Sequence, residues 1–381
     1  MAAPSSHRHQ SSLETAEPLF ANEQQRTQAV GRFRRILNYF EAAEQQASSD
    51  DDGYNRPVLI RLTFEYARSQ KSQDKFLGAF FRSLAVGMLD DDDSVDLSDD
   101  SDVADFRSSL FGFADHLITY FFLPLRAATN KTPQPSPVYH AAVQQAQTQE
   151  EQQRIQDFVG TPERLSTLRG LCLTRDRHRC VVTRAYDFTE ANNRLRHPPA
   201  MDDDGNPLDN SNQYGGLEVA HILPYALTKQ LDGELDESRK AAIAILNMFD
   251  VGVVYLIKGT DIDRPRNAIT LGLEMHRRFG QFEIFFEPVA GAPPHTYRIN
   301  GFSPLLSQFP ITRTLFIHPS IDPPAERLLA LHSAIAHILH LSGAGDYIER
   351  ILRDMEEGGV VKEDGSTQLG VLVNLALRMR G

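Results

Sequence analysis

Leu217-Glu218-Val219-Ala220-His221-Ile222-Leu223-Pro224 is the stretch on which the fold turns. It ends an apolar strand on a histidine, just before a proline that cannot donate to a ladder. Period-two alternation sets Glu218 and Ala220 on one strand face. A single histidine at a strand end is more often structural than catalytic, so the neighbouring stretches decide its meaning. Upstream, Arg175-Asp176-Arg177-His178-Arg179-Cys180-Val181-Val182-Thr183 reads as a basic turn feeding a small strand, predicted over residues 179–183. Downstream, Asn267-Ala268-Ile269-Thr270-Leu271 leads into a short helix, predicted over residues 271–279, that bears His276, Arg277 and Arg278. Phe282, Ile284 and Phe286 then alternate as a strand.

In this order the pieces resemble the HNH endonuclease family, in the form common among fungal HNH-domain proteins, over about residues 165–290. The resemblance implies an α+β fold. A ββα-metal core (HNH, or His-Me finger) would sit between mainly α-helical N- and C-terminal regions. It further implies that His221 is the general base activating water and that His276 ligates a divalent cation, Mg²⁺ foremost. Asn267 would orient the His221 loop through its side-chain amide, and Arg277 and Arg278 would hold flanking phosphates of DNA or RNA. Ala220 stands where many active members carry Asp or His as a second metal ligand. Glu218, on the same strand face, is the candidate replacement, and an acid of the Asp261–Asp263 turn is another. Cys180 is followed by Val-Val-Thr, not completed as a Cys-x-x-Cys pair, so no structural zinc is expected. Ala220 also leaves open an alternative, a catalytically inactive HNH-like domain serving as a binding or scaffolding module, with protein partners on the helical flanks.

The 46-residue offset between His221 and Asn267 exceeds a compact motif and must hold the predicted Glu237–Phe249 helix. Further short strands are predicted at 251–257, 297–299 and 314–317. Before residue 161, apolar residues at helical spacing predict an all-α region over 25–130, with helices at 27–47, from Pro57 to Leu84 and at 106–125. Residues 1–24 read as a disordered tail and 131–160 as a proline-rich linker with an exposed helix. Residues 161–320 form the HNH-like domain and 321–381 a helical C-terminal region, with helices at 324–341, 346–356 and 369–379. His332, His337 and His340 are assigned to amphipathic packing in the first of these, not to a metal.

The 381 residues are 41% hydrophobic, enough for a sizeable core. The formal charge of -12 argues against a protein that coats nucleic acid by charge alone, and leaves room for a local basic surface. Nine of the acids crowd into Asp90–Asp105, predicted as a disordered acidic loop over 89–105, and without them the charge is only -3. The Asp- and Asn-rich stretch 201–216 looks like a calcium loop, but Pro207 stands where the sixth-position glycine belongs and no Glu closes it. Two cysteines are too few for a disulfide framework or a four-thiolate zinc site. No apolar run reaches the roughly 20 residues of a membrane helix, and the first 14 residues carry no signal-peptide core. A protein of the nucleus or cytoplasm, not bound to a membrane, is the expectation.

Overall fold

The computed structural model describes residues 19–46, 53–89, 100–129, 162–224, 237–304, 306 and 308–356. Helices α1 (Glu23–Gln46), α2 (Arg56–Glu65), α3 (Gln70–Ser83), α4 (Asp100–Leu117) and α5 (Leu123–Thr129) come first. α1 opens on a reciprocal cap: Asn22 Oδ1 accepts from Gln25 N, and Gln25 Oε1 accepts from Ala21 N, both at 2.9 Å. That cap ends the expected tail before residue 24. The single pattern predicted from Pro57 to Leu84 is two helices, because Ser69 Oγ caps the Ser72 N–H and starts the chain afresh. α4 takes up the last residues of the predicted acidic loop. The rest of that loop (90–99), the linker with its helix (131–160) and the closing helix (369–379) lie outside the described residues. Between α4 and α5 the backbone widens into a π-helical turn, Ile118–Phe122. Pro124 has no N–H for the next rung, and Leu123 N donates instead five residues back, to Ile118 O.

The remaining elements are α6 (Pro162–Arg175), β1 (Tyr186–Asp187), α7 (Phe188–Leu195), β2 (Tyr214–Gly215), β3 (Leu217–His221) and α8 (Glu237–Phe249). They continue with β4 (Ala268–Gly272), α9 (Leu273–Gly280), β5 (Ile284–Pro288), β6 (Thr296–Gly301), β7 (Ile311–Thr314), α10 (Glu326–Leu341) and α11 (Ala344–Glu356). β3 and β4 pair antiparallel, β5-β6-β7 form an antiparallel sheet, and β1 and β2 make a two-residue parallel pair. Helices with small sheets make this an α+β chain.

Four strand expectations need correction. The strand expected from Phe282 to Phe286 starts only at Ile284, because Phe282 is left-handed, at φ +58°. Residues 179–183 form a tight turn, with Arg184 N donating to Cys180 O, because the left-handed backbone at Arg177, His178 and Arg184 prevents an extended run. Residues 251–257 are a turn and a 3₁₀ helix, set by left-handed Gly252 and local bonds such as Val253 N to Asp250 O. A short run of β-branched residues reads the same in a strand and in a buried turn. The last predicted strand, at 314–317, is displaced to 311–314, where Arg313 pairs with Tyr297.

One hydrophobic cluster runs from Ala29 of α1 through Ala220, Ile269 and Phe279 to Ile351 of α11. Polar ties fasten its parts. Arg327 of α10 forks onto Asp250 at 2.6 and 2.9 Å, Arg68 N donates to Phe249 O at 2.7 Å, and Asn55 N donates to Ser342 O at 2.9 Å. No single described helix is long and apolar enough to cross a membrane. The α10–α11 pair meets that length and composition only across a bend of 85°, and most of its apolar residues lie in the core.

Candidate active site

β4 is the central support. Ala268, Ile269, Thr270 and Leu271 are all buried, so the stretch lacks the alternation that marks a half-exposed strand. One edge pairs with β3, His221 opposite Ala268 and Leu217 opposite Gly272. The other edge is completed by a turn: Asp176 Oδ2 accepts from Thr270 N at 3.1 Å, and Val181 N donates to Thr270 O at 2.9 Å. Arg175 holds that turn. Its buried guanidinium forks onto Asp176 at 2.9 and 2.8 Å and donates to Pro265 O and Ala268 O at 2.7 and 2.9 Å.

α9 follows β4 directly from Gly272, two residues later than predicted, because β4 claims Leu271. Met275 and Phe279 turn into the core, and His276 projects toward β3. Its Nδ1 lies 2.6 Å from Glu218 Oε2, with the two side chains 13% and 27% exposed. The far end of α9 is pinned by α10: the His332 ring stacks on Phe279 at 3.8 Å between centroids, and its Nε2 bonds Phe279 O at 3.0 Å.

His221 sits at the end of β3. Its Nε2 is 3.2 Å from Asp263 Oδ1, and Asp263 is also 3.6 Å from Arg164 Nε of α6. Nδ1 of His221 makes no hydrogen bond among the described residues. Asn267, fully buried, closes the arrangement. Its Oδ1 accepts from Leu223 N, and its Nδ2 donates to Leu223 O and Ile262 O, each at 3.0 Å. One side chain thus fastens the segment just after His221 to the turn that carries Asp263. Residues 180–287 match the HNH endonuclease family model.

The HNH match spans just over a quarter of the chain and includes His221, Asn267, His276 and Glu218. Its family consists of nucleases, for which nucleic acid is the general partner and a divalent metal the usual cofactor. No curated protein matches the chain, and no solved structure does.

Within the HNH region the two histidines belong to separate acid–imidazole pairs. Alternation along β3 turns Glu218 toward α9, whereas Val219 packs on Leu168 and Cys172 of α6 and His221 faces the same side. Among the described residues no three His, Cys, Asp or Glu side chains gather to hold a metal. A polar cleft of about 320 Å³ lies beside Asp263, lined also by Arg164, Thr167, Asp261, Arg264 and Asp322; His221 does not line it. Arg277 and Arg278 lie on α9, Arg277 hydrogen-bonded to Glu274 and Gln281, Arg278 hydrogen-bonded to Glu283 and ion-paired with Glu274.

The upstream basic turn is largely neutralised by the Asp-rich loop. Arg177 pairs with Asp204, Arg179 with Asp202 at 2.7 Å, and His178 and Arg194 with Asp203 at 3.0 and 2.9 Å. Burial pushes the Asp203 carboxyl up, but the bonds from His178 and Arg194 outweigh it and hold it well below the usual range. The resemblance left an acid of the Asp261–Asp263 turn as a candidate metal ligand; in the structure Asp263 pairs with His221. Arg164 gave no sequence signal at all, being one arginine on an amphipathic helix.

Proposed function

We propose that the chain is a metal-dependent HNH-type endonuclease that hydrolyses phosphodiester bonds of nucleic acid. The observation that carries this reading is the His221–Asp263 pair clamped by Asn267 inside the region that matches the family. His221 takes a proton from water at Nδ1, while Asp263 accepts the Nε2 hydrogen and so fixes the tautomer. Asn267 positions both partners and touches neither reacting atom. Glu218 and His276 are the protein's ligands for a divalent cation. A carboxylate and an imidazole together on a partly exposed face suit an ion such as Mg²⁺, which keeps several waters and completes its shell with substrate phosphate. When bound, the cation supplies charge neutralisation at the phosphate and the departing oxygen. Arg277 and Arg278 hold flanking phosphates by exchanging their bonds to Glu274 and Glu283.

A second reading, a non-catalytic binding module, is favoured by one observation: His221 faces α6 while the Glu218–His276 pair faces α9. Cleavage of supercoiled plasmid and of single-stranded DNA and RNA with Mg²⁺ or Mn²⁺ separates the two. The nuclease reading expects His221→Ala to lose about 10²–10⁴-fold in rate. It expects Glu218→Gln or His276→Ala to weaken Mn²⁺ binding by calorimetry. No cleavage and no metal binding by the wild type would leave the binding module standing.

A further inference from the structure

We infer that Arg184 and Arg313, beside Phe316, form a binding site for a phosphate of the nucleic-acid backbone, apart from the two acid–imidazole pairs. The inference rests on the nuclease reading for its substrate class. Its first support is the neighbourhood. Arg177, Arg179 and Arg194 are each neutralised by an aspartate of the 202–204 loop, whereas Arg184 and Arg313 make no ion pair among the described residues. Backbone carbonyls hold them instead. Arg184 Nη2 donates to Thr314 O at 2.5 Å and Arg313 Nε to Val182 O at 2.8 Å, which orients two cations without cancelling their charge.

The second support is electrostatic. Burial, and then the nearby Arg313, lower the Arg184 pKa, so the two guanidiniums repel each other in a partly desolvated place. Arg184 Nη1, buried from solvent, has no hydrogen-bond partner among the described residues. An oxyanion between like charges relieves the repulsion between them, and guanidinium is the group that suits phosphate geometry.

The third support is backbone strain. Arg184 has φ +65°, a conformation that favours glycine, and Arg177 and His178 in the same turn are also left-handed, at +54° and +49°. Such strain concentrates where a side chain must be presented. Here it directs the Arg177 and Arg184 guanidiniums over the Phe316 ring, 4.6 and 4.5 Å from its centroid. Cations beside a partly exposed aromatic make a surface that tracks a sugar–phosphate chain.

The test is fluorescence anisotropy with a labelled 20-base-pair duplex and a 20-nucleotide single strand in EDTA, over a salt series. The Arg184→Gln/Arg313→Gln double variant should bind roughly tenfold more weakly at 0.1 M salt, whatever the sequence. Its log–log salt slope should fall by about 1, for the one phosphate that the pair neutralises. Arg184→Gly, which suits the left-handed backbone, should keep the wild-type urea midpoint while losing about half of that slope change. Wild-type binding with an unchanged slope in the double variant would overturn the site and spare the nuclease reading. No wild-type binding to either strand form would overturn both. Arg184-dependent stabilisation by inorganic phosphate without nucleic-acid binding would reassign the site to the free ion and overturn the backbone assignment.

Discussion

Asn267 concentrates more consequence in one side chain than any other residue near β3. Its amide satisfies the Leu223 N–H and the Leu223 and Ile262 carbonyls, all at 3.0 Å and all removed from solvent. Asn267→Ala strands one donor and two acceptors. Each unsatisfied group costs about 1–3 kcal/mol, and partial relaxation of the two loops brings the expected loss to about 3–5 kcal/mol. That is a large fraction of the ~5–15 kcal/mol typical of a folded domain. Asn267→Asp discriminates further. The introduced carboxyl still accepts from Leu223 N, but its second oxygen faces two carbonyls. Its folded pKa therefore lies above the unfolded value, and the variant should lose stability as pH rises past about 4. Urea unfolding followed by circular dichroism measures both, and hydrogen exchange reads the Leu223 amide directly. Losses below about 1 kcal/mol in both variants, with the Leu223 amide still protected, would refute the clamp.

His332, buried and stacked on Phe279, has its pKa pushed down to about 3 by burial, against the bond to Phe279 O. The unfolded chain takes up that proton near pH 6.5 and the folded one does not. Stability from this group is therefore complete above about 6.5 and declines as pH falls toward 3, by up to about 1.4 kcal/mol per unit. His332→Phe should flatten that slope in urea titrations between pH 4 and 7; an unchanged slope would assign the acid sensitivity elsewhere. Asp263→Asn keeps the shape of the His221 pair but can leave the wrong tautomer, and should slow cleavage about 10–100-fold with little change in metal affinity. Equal loss of metal binding would instead make Asp263 a ligand. The Cys172 thiol is pushed up to about 12 by burial. It should resist iodoacetamide at pH 8 until the protein unfolds, and labelling in the native state would show that α6 opens locally.

The sequence made β3 legible because Leu217 to His221 alternates and then meets a proline. It concealed β4. A strand buried on both faces has no periodicity, and Ala268 to Leu271 reads as easily as the approach to a helix. The closeness of Glu218 to His276 was reachable, since strand parity turns Glu218 to the same face as Ala220. The partnership of His221 with Asp263 was not reachable, because it depends on how two consecutive 3₁₀ turns fold back across 42 residues. The basic turn misled for a related reason. Its neutralising aspartates lie about 25 residues on, where composition reads only a polar loop.

The stack of His332 on Phe279 and Phe282 bears on modularity. The family match ends at residue 287, yet the helix that carries His276 leans on an imidazole 45 positions further along. A fragment cut at the edges of the match would carry the motif with an aromatic face stripped bare. Grafting this motif onto another scaffold, or dissecting it by truncation, therefore means carrying α10 as well, because the unit of inheritance is shorter than the unit of folding.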